Sequence, residues 1–197
     1  MIVVKHRINT IAELQTTPAS FGVEIDVRSG ERGLYLAHDA FMLGDLLDDW
    51  LKFYTHRLLI VNVKEDGLED EILHLLKRHS VSSFFFLDQA LPTIIRRGIA
   101  GSRDSALRIS EYESIESAQK LAGFCGWAWV DFFHQPELSQ EKVRQLRALG
   151  LKVCLVSPEL HASERVNQIA MLQGQLSEAH LFVEAVCTKF PERWQQD

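Results

Sequence analysis

Two acids on one apolar strand are the residues of this chain that most clearly ask for chemistry. In GVEIDVR, positions 22 to 28, Val23, Ile25 and Val27 alternate with Glu24, Asp26 and Arg28. Residues two apart on a strand share a face, so the carboxylates stand about 7 Å apart with Arg28 next along. Strands of a parallel sheet are covered on both faces. Burying two carboxylates there without compensation costs many kcal/mol or forces them to take up protons, so positive charge must meet them. One reading supplies it from basic side chains, Arg28 or Lys64. The other supplies it from a hard divalent cation, Mg2+ or Ca2+, which takes carboxylate oxygens together with a few amide or water oxygens.

Other polar residues end the neighbouring apolar runs. His6 and Arg7 close the first, His38 and Asp39 follow the acidic doublet by a dozen residues, and Asn62 and Lys64 close the run at 58 to 64. Histidine titrates near neutral pH, which suits His6 and His38 to the acid and base of a proton-transfer pair. His56, His74, His79, His161 and His180 read as packed or surface residues, and His134 fits either description.

The elements that position these groups are short apolar runs at 2 to 6, 22 to 27, 58 to 64, 84 to 88, 98 to 102, 126 to 133, 151 to 157 and 181 to 188. Helical patterns lie between most of them. Asp66 with Glu69 reads as a capping box, and Ser139 and Gly150 bound another helix. Strand then helix, repeated eight times, implies parallel strands joined by crossovers and closed into an α/β (β/α)8 TIM barrel. An open doubly wound sheet is the alternative, but no Gly-rich phosphate loop follows any strand. The barrel is expected as a single domain over residues 1 to 197, compact against the usual length of about 250 residues. Its first helix, near Thr10 to Thr16, is short and polar, and the last is truncated to PERWQQD. SGERGLYLAHD reads as a turn and a short extended return after strand two. In such a barrel the carboxyl ends of the strands meet on one rim, where active sites of this architecture lie.

Composition narrows the partners. Hydrophobic residues make up 46% and charged residues 24%, with a formal charge of -6, so no basic stripe for nucleic acid is present. Lys77-Arg78-His79 and Arg96-Arg97 read as solvated helix faces. No apolar run approaches the roughly 18 residues that span a bilayer, and the apolar part of MIVVKHR is too short for a secretory signal, so a cytoplasmic protein is expected. Cys125, Cys154 and Cys187 form no C-x-x-C pair and read as buried thiols in a reducing compartment.

The combination of HR ending strand one, EIDVR on strand two, LAHD after it, NVK on strand three and CTKFPERW on strand eight resembles the glycerophosphodiester phosphodiesterases. These belong to the barrel superfamily that includes the phosphatidylinositol-specific phospholipases C. The resemblance covers most of the chain in order, with the specific motifs in the first 64 residues. It implies a metal-dependent hydrolase of a small-molecule phosphodiester. His6 and His38 would be general acid and base, Arg7 would hold the phosphate and Lys64 would help neutralise it. Glu24 and Asp26 would bind the metal, with Asn62 at the position of the family's third ligand.

The departures are specific. Ile8 stands where the family has glycine, and only Asn9-Thr10 remains of a Pro-Glu-Asn-Thr stretch, so the first loop is shortened. Asn62 replaces a glutamate, and Glu65, three positions on from Asn62, points to the other face. Lys189 replaces an acid. Asn62 and the clipped loop motivate an alternative, a degenerate barrel that binds a phosphorylated ligand without turnover. A Schiff-base role for Lys64 ranks last, because a lysine beside carboxylates stays protonated. Asp88, Arg103, Trp129 and Asp131 are pocket candidates, with core packing for Trp127, Trp129, Phe132 and Phe133 and helix capping for Asp88 as the plainer roles.

Overall fold

Alternation of buried strands with amphipathic helices winds the chain into a nearly closed barrel. The computed structural model describes residues 1 to 195; Gln196 and Asp197, the end of the PERWQQD stretch, lie outside the described residues. The strands are β1 (Ile2–Lys5), β2 (Gly22–Gly30), β3 (Gly33–Leu36), β4 (Leu59–Val63), β5 (Phe84–Leu87), β6 (Ala106–Ile109), β7 (Trp127–Val130), β8 (Lys152–Val156) and β9 (Ala185–Thr188). Eight of them follow the order β5-β4-β2-β1-β9-β8-β7-β6. The ring shuts between β5 and β6 through one parallel bridge, Phe86 to Ser105, beside a hydrogen bond from the Phe86 N–H to the Asp104 carbonyl at 2.7 Å. β3 stands outside the ring as the antiparallel return of β2, as the SGERGLYLAHD stretch predicts.

The period of two sorts the side chains. Val23, Ile25 and Val27 of β2 face outward into a core shared with α2 (Leu47–Leu51) and α3 (Glu69–Arg78). Val4, Ile60, Phe85, Trp127, Cys154 and Cys187 fill the barrel interior, where the Phe85 and Trp127 rings stack at 4.5 Å. Trp129 is buried with them, Phe132 is buried in a separate cluster with Ile109, Val130 and Leu138, and Phe133 is exposed. All three cysteines are buried free thiols, and burial pushes the Cys125 thiol up to about 12.

The helices match the expectations at some ends and miss at others. The first, α1 (Ile11–Thr16), is short and carries a full capping box: Thr10 caps it and Glu13 reciprocates. The box expected at Asp66 and Glu69 is absent, because Asp66 accepts from the Thr93 hydroxyl at 2.7 Å and Glu69 accepts from the Gly67 N–H. Ser139 does cap the helix Gln140–Ala148, and Gly150 follows it with φ 80°.

A larger correction concerns the fifth barrel strand. Residues 98 to 102 are the end of the helix Leu91–Ile99 and its turn, closed by Gly101 at φ 95°; the strand is β6. Gly98 packs there so tightly on Phe124 that a Cβ would come within 2.3 Å of its side chain. Within β6, Arg108 interrupts an otherwise apolar run and hides it from hydropathy. Arg97 is likewise no solvated helix residue: it is buried, pairing with Asp104 at 2.9 Å and Asp70 at 3.3 Å. Among the described residues after β9 the chain makes only a 3-10 turn, at Pro191–Arg193. Among the described residues no helix is long and apolar enough to cross a membrane.

Candidate functional site

The adjacent strands β1, β2 and β4 bring the predicted residues to one sector of the C-terminal rim. Asp26 and Asn62 are direct neighbours across β2 and β4, and Glu24 opposes Ile60 one pleat earlier. Glu24, Asp26 and Asn62 are all buried. At the end of β1 the chain turns at Arg7, whose φ of 55° is unusual for a residue other than glycine. The turn is held from β2: the Arg7 N–H donates to Glu24 Oε2 at 2.8 Å and the Ile8 N–H to the Glu24 carbonyl at 2.8 Å. Ile8, in the position of the expected glycine, is buried in the outer core.

Asn9 is the residue sequence reasoning undervalued. Its Oδ1 accepts from the Asp26 N–H at 2.9 Å and its Nδ2 donates to Asp26 Oδ2 at 2.8 Å. The clipped first loop thus extends the β1–β2 ladder through a side chain and fixes the carboxylate. Asn9→Ala removes one neutral and one charge-assisted hydrogen bond, and is expected to lower stability by about 2–3 kcal/mol in urea denaturation.

Asp26 is also met by cations. Lys64 Nζ lies 2.9 Å from Oδ1 and Arg7 Nε 4.0 Å from Oδ2. The Lys64 approach is an ion pair without hydrogen-bond angles, so Oδ1 retains an unused acceptor site, as does the buried Oδ1 of Asn62. Glu24 has no such cation against it. Burial, then the charge of Asp26, pushes its carboxyl up to about 8. His6 Nε2 lies 3.8 Å away, and burial followed by Arg7 lowers this imidazole to about 3, which holds it neutral.

Basic side chains therefore meet Asp26 but leave Glu24 uncompensated, and Arg28 plays no part in either. Its guanidinium turns to the loop after β3, donating to the carbonyls of Ala37 at 3.2 Å and His38 at 2.9 Å. Glu65 lies beyond the end of β4 and accepts from the Ser29 N–H at 3.0 Å and from Arg28 at 3.4 Å. Arg28 thereby carries His38 into the site. The His38 Nδ1 faces Asp39 Oδ1 at 2.7 Å, and its Nε2 meets the Arg7 guanidinium. A guanidinium can only donate, so Nε2 is the acceptor and Nδ1–H points to Asp39.

Whether these residues fit a divalent cation can be read from their oxygens. Among the described residues no group of three or more His, Cys, Asp or Glu is arranged for a metal. The fit comes instead from two buried carboxylates flanked by unused oxygens of Asp26 and Asn62, an all-oxygen donor set suited to a hard cation completed by water or substrate.

The pocket candidates divide. Asp88 and Asp131 reach the opposite side of the rim, where both grip Arg108, while Trp129 is barrel packing and Arg103 lies before β6 at the far end, bonded to the Gly98 and Ser102 carbonyls. Asp88 caps no helix; its φ is 58°. His161, expected to be a packed or surface residue, contacts buried Asp131 at the rim, and undecided His134 meets the Tyr112 hydroxyl at 2.9 Å. Lys189 is exposed, and its charge helps keep His6 neutral. The buried acid beside it is Glu159, which accepts from Thr188 Oγ1 at 2.6 Å and the Lys189 N–H at 3.0 Å. Nothing in the sequence marks Glu159 or Arg108, since each takes its role from partners distant along the chain.

No family model and no curated protein matches this sequence. Solved structures do. A glycerophosphodiester phosphodiesterase from Agrobacterium tumefaciens str. C58 aligns with a TM-score of 0.69 at 14% identity, covering 98% of this chain and 99% of that one. A glycerophosphoryl diester phosphodiesterase from Parabacteroides distasonis ATCC 8503 aligns with a TM-score of 0.65 at 11% identity, covering 98% of this chain and 84% of that one. The chain has the fold of these phosphodiesterases.

Proposed function

We propose that the chain is a metal-dependent phosphodiester hydrolase acting on glycerophosphodiester-like substrates. The observation that carries this reading is the pair Glu24 and Asp26, two buried acids on β2 of which Glu24 has no Lys or Arg side chain paired with it among the described residues. Glu24, Asp26 and Asn62 would hold Mg2+ or Ca2+. When bound, such an ion supplies positive charge to the non-bridging oxygens and lowers the pKa of an attacking oxygen.

The chain's own groups cover the remaining needs of phosphodiester cleavage. Arg7 and Lys64 bind the phosphate oxygens as hydrogen-bond donors. His6, kept neutral by burial, accepts the proton of the attacking oxygen as its bond to phosphorus forms. His38 delivers a proton to the departing alkoxide as the second P–O bond breaks. Asp39 orients that ring through its Nδ1. Arg7 links the two events: a phosphate that draws its guanidinium away from His38 Nε2 frees that nitrogen to carry the proton.

The metal-free protein should show the strain of the acid pair. A carboxyl held near 8 instead of its ordinary 4.5 makes folding most favourable below about pH 4.5 and progressively less so as pH rises through 8. In chelator, wild type is expected to lose a few kcal/mol between pH 5 and 9 that Glu24→Gln retains, read as the difference in their melting profiles. Parallel profiles would contradict the burial of an uncompensated acid.

The 2.9 Å approach of Lys64 to Asp26 favours one second reading, a barrel that binds a phosphorylated ligand and does not turn it over. Calorimetric titration with glycerol phosphate beside a diester hydrolysis assay separates the two: binding without turnover, at any divalent cation, supports the second.

A further inference from the structure

Residues 38 to 43 project from the barrel between two fixed points. The Ala37 N–H donates to the Asp26 carbonyl at 3.0 Å, and the Leu36 N–H to the Asp45 carbonyl at 2.9 Å. Asp45 is held in turn by the Ile11 N–H at 2.7 Å. Between these anchors Gly44 lies so close on Leu36 that a Cβ would fall 1.8 Å from the Leu36 carbonyl oxygen. His38 stands at the base of this loop. At its tip stand Phe41, Met42 and Leu43, with relative exposures of 102%, 59% and 91%. Phe41 holds φ 65°, a left-handed conformation rare for a bulky residue. Scattered exposed hydrophobes need no explanation, but three in succession on an anchored loop beside a reactive rim do.

The loop and the β2–β3 hairpin enclose an open cleft of about 360 Å³, lined by the apolar Tyr35, Phe41, Met42, Leu43 and Leu46, by glycines, and by the charged Glu31 and Arg32. We propose that this cleft receives the hydrocarbon chain of an amphiphilic phosphodiester whose phosphate lies against Arg7 and His38. The proposal rests on the phosphodiesterase reading and names the substrate class of that site. Continuity argues for this occupant: Phe41 follows His38 by three residues, so whatever lies on the tip adjoins whatever the rim holds, and a lining of mostly apolar side chains with one charge of each sign suits a hydrocarbon chain. A second copy of the protein seated on the ridge would stand over His38 and obstruct the mouth. A lipid surface gains no electrostatic help from a chain of formal charge -6.

The test compares unacylated glycerophosphocholine with its monoacyl derivatives from hexanoyl to decanoyl, each below its micelle concentration. A fully buried methylene is worth about fourfold, so kcat/KM should rise severalfold with each two-carbon step in wild type. In the Phe41→Ser, Met42→Ser, Leu43→Ser variant the ratio of acylated to unacylated kcat/KM should fall toward one. A flat wild-type series, or equal slopes in both proteins, overturns the proposal. So does activity that appears only once micelles form, which assigns the ridge to a lipid surface, or a wild-type dimer that the variant splits in sedimentation. If neither protein hydrolyses any member, calorimetry with the same compounds decides. Affinity that grows with chain length and is lost in the variant keeps the cleft while refuting the hydrolase, and affinity independent of chain length overturns the cleft.

Discussion

Replacing His6 or His38 with alanine is expected to cut turnover of a model diester by about 10²–10⁴-fold while leaving the cooperative unfolding transition in place. The two losses should differ in character. His6 is mostly buried and held neutral, so on the proposed mechanism its removal would take away the proton acceptor on the attacking side. His38 is half-exposed, seated by Arg28 through its carbonyl and by Asp39 through Nδ1, and on the same mechanism its removal would take away the donor to the leaving group. A substrate with an acidic leaving group, such as a nitrophenol ester, needs no proton on departure. It should largely rescue His38→Ala and leave His6→Ala impaired. Equal rescue of both variants, or full activity in either, would contradict the assignment of roles.

The second large effect concerns the acids. In wild type, a saturating divalent cation at about 100-fold its dissociation constant should raise stability by about 2.7 kcal/mol, visible as an upward shift of the melting temperature. Asp26→Asn or Glu24→Gln should abolish that shift and reduce metal-supported turnover by about 10³-fold, the several kcal/mol that a bound ion contributes to a phosphoryl transition state. Asn9→Ala provides the contrast: it loosens Asp26 without removing a donor oxygen, so it should weaken the response without erasing it. A cation response unchanged in Glu24→Gln would show that the ion, if any, binds elsewhere.

Much of this site is legible in the sequence because its parts are local. A strand's alternation puts Glu24 and Asp26 on the inner face, and the end of each apolar run puts His6, Arg7, Asn62 and Lys64 on one rim. The antiparallel return carrying His38 is visible as a turn followed by GLYL. What stayed hidden depends on partners far along the chain. Arg108 interrupts β6, and its reason for being there, Asp88 and Asp131, lies 20 and 23 residues away. The apolar pair in GIAGS mimics a strand, and only the packing of Gly98 on Phe124 makes it a helix end. Arg28 lies on the acidic doublet's strand, yet the loop after β3 offers it two carbonyls and Glu65 offers it a charge. Polar side chains at strand ends are thus identified by position, but their partners are chosen by tertiary structure.

The central claim is that Glu24, Asp26 and Asn62 form the seat of a cation that this chain needs to cleave a phosphodiester. Its most direct test is hydrolysis of glycerophosphocholine by purified protein stripped with chelator, then replenished with Mg2+ or Ca2+. Turnover absent in chelator, restored by one of these ions in wild type and not restored in Glu24→Gln is the predicted result. Undiminished turnover in chelator, or no turnover with either ion by protein that still binds glycerol phosphate, would contradict it.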